Sequence, residues 1–170
     1  MNNILLKTID TAVNVAMVAD PDYGHNPNFL KSGAKVPEVI LKISNGTEMS
    51  LSSLLKHGQV LLVFIKGTWC PFCRLHMMRL RAWSTKLSNK NVSLIVVSTE
   101  SADIIRGWLK KNPYTYLFAS DDDQSLGKIF GVNLDDKNHT QAATFLIDID
   151  SIVKASFTEK RTNGLGVDLD

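Results

Sequence analysis

Short apolar runs alternate along this chain with longer amphipathic stretches. Val60 to Ile65 is unbroken apolar sequence rich in β-branched and aromatic types, which predicts a buried strand. Cys70 to Ser88 then has a helical pattern, Val92 to Ser98 reads as strand, Ala102 to Lys111 as helix with Ser101 as its N-cap, and Tyr114 to Ala119 as an extended segment. Such alternation favours a mostly parallel sheet. Upstream, Val36 to Leu41 predicts a short extended segment, Asn45-Gly46 a tight turn and Ser50 to Leu55 a short helix. Downstream, Asp123 to Phe130 predicts a helical block closed by Gly131. Thr144 to Ile147 and Ile152 to Phe157 follow as strands. The polar Asp148-Ile149-Asp150-Ser151 between them suits an antiparallel hairpin, so the sheet is expected to be mixed.

The two ends differ from this middle. Ile4, Leu5, Ile9, Ala12, Val13, Ala16 and Met17 fall at helical spacings that stop before Asp20-Pro21, and a Pro-, Asn- and Gly-rich loop follows. Residues 1–32 are therefore expected to form a helical extension and loop, 33–158 the main domain, and 159–170 a short tail with two glycines and no apolar periodicity. The N-terminal helix, or a second subunit, is expected to cover sheet surface that a closing C-terminal helix would otherwise fill.

Composition narrows the function. With 170 residues and 44% hydrophobic content, the chain can bury one sizeable core. Nineteen Lys and Arg balance seventeen Asp and Glu, for a net charge of +2, and no basic block interleaves with aromatics, which argues against a nucleic-acid partner. No apolar run approaches the roughly 20 residues a membrane span requires. Lys7 and Asp10 interrupt the N-terminal apolar stretch, so a signal peptide is not expected and cytoplasm is the default. Two cysteines cannot build the disulfide framework of a small secreted domain.

Those cysteines carry the candidate chemistry. Lys66-Gly67-Thr68-Trp69-Cys70-Pro71-Phe72-Cys73-Arg74 links the buried strand to the long helix. With Cys70 at the N-cap, Pro71 takes the first helical position, where a missing N–H costs nothing, and Cys73 lies on the same face three residues on. Unpaired N–H groups and the positive end of the helix dipole favour the Cys70 thiolate. In comparable sites the thiol pKa falls from about 8.5 to roughly 3.5–7.5. Lys66 and Arg74 would add to this if they point inward. Cys70, expected to be the less covered of the two, is assigned as nucleophile and Cys73 as resolving thiol.

Other readings of these residues remain open. A C-x-x-C can be half of a zinc site, but His25, His57, His76 and His139 form no second pair, and redox chemistry is preferred. His76 is either a proton relay or a surface histidine. Trp69 either lines a substrate groove or covers the core, and Thr68 either lines the groove or ends a strand.

The turn Trp69-Cys70-Pro71-Phe72-Cys73 after a buried strand resembles the active-site turn of thioredoxin-fold proteins. Gly33 to Leu41, Gly46 to Leu55, Val60 to Arg74, Leu94 to Glu100, the segment from Ser120-Asp121 to Gly131 and Thr144 to Asp150 together resemble the peroxiredoxin-like branch, which includes alkyl hydroperoxide reductase and thiol-specific antioxidant proteins. The resemblance implies an α/β fold, a thioredoxin-like three-layer sandwich with a central mixed sheet flanked by helices. It also places Ala143 and Thr144 beside the cysteines, as groove or pKa-tuning positions. The chain departs from these families at Ala143, where thioredoxins place a cis-proline, at Phe64, where they bury an acid, and at Ala142, where peroxiredoxins use an arginine.

The leading expectation is a thiol–disulfide oxidoreductase without a cofactor. Its substrates would be disulfide-containing proteins or small thiols, with a cellular dithiol or glutathione as reductant of the Cys70–Cys73 pair and a homodimer as one possible assembly. Thiol-dependent peroxide reduction is the enzymatic alternative. A metal- or cluster-binding module and a redox-inert scaffold are the non-enzymatic ones.

Overall fold

The computed structural model describes residues 26–134 and 137–158. The predicted N-terminal helix, His25 and the 159–170 tail lie outside these residues. The described chain runs β1 (Ile40–Ile43), β2 (Glu48–Ser50), α1 (Leu51–Leu55), β3 (Gln59–Ile65), α2 (Pro71–Ser88), β4 (Val92–Ser98), α3 (Ala102–Lys111), β5 (Leu117–Ser120), α4 (Ser125–Phe130), β6 (Ala143–Ile147) and β7 (Val153–Thr158). The strands form one mixed sheet in the order β2-β1-β5-β4-β3-β6-β7.

Parallel pairing is confined to β3 with β4 and β4 with β5; the other four pairings are antiparallel. The mostly parallel expectation therefore holds only for the centre, because helical crossovers join only those three strands while hairpins build the edges. The Asn45-Gly46 turn closes the β1–β2 hairpin, where Gly46 takes φ 95°. Asp148 closes the β6–β7 hairpin by accepting from the amides of Asp150 (3.0 Å) and Ile152 (2.9 Å). The predicted Tyr114 to Ala119 strand begins only at Leu117. Tyr114 instead stacks on Trp108, and Tyr116 donates its hydroxyl to the Met77 carbonyl at 2.8 Å, so this stretch packs against helices rather than joining the ladder.

Period-two alternation divides the core between the two sheet faces. Val60, Leu62 and Phe64 of β3 face α1 and α4, packing with Leu51, Leu54, Leu126, Phe130 and Phe145. Leu61, Val63 and Ile65 face α2 and α3, packing with Met77, Leu80, Ile105, Phe118 and both cysteines. The packed unit reaches back before residue 33: Phe29 lies 5.2 Å from Phe145 between ring centroids, and the Leu30 amide donates to the Phe130 carbonyl at 3.2 Å. Caps set the helix limits. Ser50 and Ser101 accept from the amides of Ser53 and Ile104, and Gly131 ends α4 in the left-handed region at φ 68°. Among the described residues no helix is long and apolar enough to cross a membrane.

Candidate active site

The cysteine turn forms where β3 leaves the sheet. Cys70 is the N-cap of α2 with extended backbone (φ −76°, ψ 121°), Pro71 occupies the first turn, and the Arg74 amide bonds the Cys70 carbonyl at 3.0 Å. The helix begins here because proline presets φ and has no amide to satisfy. Cys70 and Cys73 thus sit at the N-cap and in the first turn of α2, at the positive end of its dipole, although the Cys70 side chain makes no capping hydrogen bond to the helix amides.

Burial works in the other direction. Cys70 is 3% exposed and Cys73 is 2% exposed, so the expected difference in cover between them is absent. Both side chains belong to the apolar layer with Val63, Ile65 and Met77. Desolvation penalises a thiolate, so hydrogen-bond donors and helix-terminal charge have to offset it. Both cysteines stand as thiols rather than as a disulfide.

A carboxylate not singled out by the sequence fixes this turn. Glu100, just beyond β4, accepts from the Thr68 amide (2.6 Å), the Thr68 hydroxyl (2.8 Å) and the Ser98 hydroxyl (2.8 Å). Arg74 closes the loop from the other side by donating its Nε to the Thr68 carbonyl. Thr68 is thus the buried anchor of the turn rather than the end of a strand. Arg74 braces the loop through that carbonyl. The Thr99 hydroxyl holds the Lys66 carbonyl at 3.1 Å, and Lys66 itself is buried.

The other candidates separate. Trp69 is 54% exposed and its indole folds over Gly67, where an ideal Cβ would meet Nε1 at 2.2 Å; its ring also lies 6.2 Å from that of His139. It therefore belongs to the rim of the site and does not cover the core. His76 is buried on α2, which corrects the surface-histidine reading. Among the described residues no three or more His, Cys, Asp and Glu side chains gather as a metal site would require.

Strand alternation decides the remaining positions. Ala143 pairs with Phe64 and its side chain lies in the layer facing α4, so it does not line the cysteine groove as expected. Phe64 packs against Phe130 (5.3 Å) and Phe145 (5.8 Å) on that same far face. Thr144 pairs with Val63 and is therefore on the cysteine side. Ala142 is buried just before β6 and supplies no charge. Asp121, beyond the end of β5, accepts from the amides of Leu126 (2.9 Å) and Gly127 (2.8 Å), while burial pushes its carboxyl above the ordinary value.

Comparison with known proteins agrees with this geometry. A protein of Helicobacter pylori named as a bcp-type peroxiredoxin is 26% identical over 141 residues, covering 79% of this chain and 92% of its own. A namesake from Coxiella burnetii is 25% identical over 142 residues. The crystal structure of peroxidoxin BcpB from Mycobacterium tuberculosis superposes with a TM-score of 0.72 at 26% identity, covering 76% of this chain and 86% of that one. A cysteine-to-serine mutant of PrxQ from Xylella fastidiosa shares the fold at a TM-score of 0.70 and 19% identity, over 81% and 91% of the two chains. The Redoxin family model matches residues 31–168. With the mixed sheet, its two helical layers and the strand-to-helix cysteine turn, that match means the chain belongs to the Redoxin family.

Proposed function

We propose that this protein is a thiol-dependent oxidoreductase that cycles between a Cys70/Cys73 dithiol and a Cys70–Cys73 disulfide. The observation carrying this reading is the position of both sulfurs in the first turn of α2, three residues apart, with Pro71 at the helix start. In the disulfide-exchange cycle the Cys70 thiolate attacks a substrate disulfide and displaces one substrate thiolate. The Cys73 thiolate, its proton lost to solvent, then attacks Cys70 of the mixed disulfide and displaces the second. Two electrons pass to the substrate, and a cellular dithiol or glutathione returns the pair to the reduced state.

The peroxiredoxin relatives favour a second reading in which a peroxide is the oxidant. One cysteine thiolate attacks the peroxide, takes one oxygen to become a sulfenic acid and releases an alcohol or water after protonation. The other cysteine condenses with it, forming the disulfide and one water. Both readings share one couple and one reductant class and differ only in the oxidant. Thr68, Trp69, Pro71, Arg74 and Thr144 are the residues we assign to support it. We place the protein in the cytoplasm, where a thiol pair is kept reduced, and take a homodimer as the assembly to seek by light scattering.

The discriminating experiment follows dithiol oxidation in the presence of either insulin disulfide or hydrogen peroxide. Turnover with either that vanishes in both Cys70→Ser and Cys73→Ser supports the couple. Turnover with peroxide alone selects the peroxidase. Turnover with neither overturns the proposal.

A further inference from the structure

Two buried side-chain atoms among the described residues lack a hydrogen-bond partner, the hydroxyl oxygens of Thr140 and Thr144. A buried hydroxyl without a partner is costly, and one in a packed interior calls for a reason. Thr140 lies against α4: an ideal Cβ at Gly127 would meet its methyl at 2.5 Å. Thr144 is placed differently. It is 2% exposed, opposite Val63 across the β3–β6 pair and opposite Phe157 across the β6–β7 pair. Val63, the partly buried Phe157 and Leu146, two residues along β6, all belong to the apolar cluster that holds Cys70 and Cys73. Antiparallel β6 also puts Thr144 near its own start, beside the end of β3 from which the cysteine turn departs.

From this placement we infer that the Thr144 hydroxyl is a donor held in reserve for the sulfur anion of the Cys70/Cys73 pair. In so apolar a layer, a hydrogen bond from a neutral donor to a charged acceptor is stronger than one between neutral groups. The anion exists only in the reduced protein and disappears when the disulfide forms, so the bond stabilises the reduced state alone. Thr144 is thus a positioning residue that sets thiol acidity and, by linkage, raises the reduction potential of the pair. This rests on the thiol couple proposed above and adds the group that tunes it.

The test compares Thr144→Val, Thr144→Ser and Thr140→Val with wild type in the full chain. Valine keeps the branched shape and removes the uncommitted hydroxyl, so Thr144→Val should be at least as stable as wild type to denaturant. Its most acidic thiol, followed by ultraviolet thiolate absorbance, should titrate higher by about one unit, a tenfold loss of thiolate. The potential should fall with it by about 30 mV where the wild-type thiolate is fully formed. Thr144→Ser should restore both values, and Thr140→Val should change neither. Wild-type acidity and potential in Thr144→Val overturn the inference while leaving the couple intact, and an equal shift in Thr140→Val does the same. Failure of wild type to form the Cys70–Cys73 disulfide overturns the couple itself.

Discussion

Glu100 and Thr68 are joined twice, through the Thr68 amide at 2.6 Å and its hydroxyl at 2.8 Å, across the gap between the ends of β3 and β4. These strands are paired in parallel up to Ile65 and Ser98, so the side-chain contact ties the two chain segments together just past the end of the ladder, where the cysteine turn begins. Replacing Glu100 with Ala strands the Thr68 amide and hydroxyl and the Ser98 hydroxyl. We predict a loss of about 1–3 kcal/mol in urea unfolding. Faster alkylation of the reduced cysteines should accompany it as the turn loosens. Glu100→Gln, which keeps one acceptor oxygen, should lie between. Unchanged stability and alkylation in Glu100→Ala would contradict this anchoring role.

The two sulfurs should behave unequally although they are equally buried. Incubated with a small aromatic disulfide, Cys73→Ser should accumulate a stable mixed disulfide on Cys70, because the resolving thiol is gone. Cys70→Ser should react far more slowly. Intact-mass measurement reads both, and faster adduct formation at Cys73 would reverse the assigned roles.

Gly67 is needed for the space it leaves rather than for its backbone freedom, since the Trp69 indole occupies the volume a Cβ would take. Gly67→Ala should push the indole off the loop, away from both Gly67 and His139, and reduce turnover severalfold with little change in the denaturation midpoint. Acrylamide quenching of the indole should increase. Unaltered quenching would show that Trp69 is not seated on Gly67.

Acid stability should depend on Asp123. Hydrogen bonds from Ser125, with help from Lys42, hold its carboxyl at about 2 against an ordinary 3.8. A carboxylate depressed on folding stabilises the native state fully above the unfolded value and loses that contribution as pH falls through the folded value. Asp123→Asn should therefore flatten the loss of stability between about pH 4 and pH 2, by a modest amount because the group is exposed. Asp121, raised on folding, acts in the opposite sense, with its contribution lost as pH rises. Identical acid limbs for wild type and Asp123→Asn would contradict this assignment.

Much of the architecture is legible in the sequence because its signals are local. The β4 and α3 boundaries, the Ser101 cap, Gly131 and the Cys70-Pro71 helix start all follow from propensity and capping within a few residues. Tyr114 and Tyr116 look like strand residues but are used for ring stacking and for a bond to Met77, a tertiary demand that no local pattern reveals. No local pattern marks Glu100 as a site residue, because its role arises from the parallel pairing that brings the ends of β3 and β4 side by side. The sequence resemblance brings Ala143 and Thr144 to the site together. Period-two alternation separates them, and only the pairing with Phe64 and Val63 shows which one faces the sulfurs.

The most direct test of the thiol couple is an equilibrium titration of the wild-type protein across a graded dithiol/disulfide buffer, with the Cys70–Cys73 peptide identified by mass at each point. The geometry at the start of α2 predicts a single reversible two-electron transition, with the bridge formed within one chain and absent from either serine variant. A pair that stays reduced throughout, or that forms bonds only between chains, would contradict it.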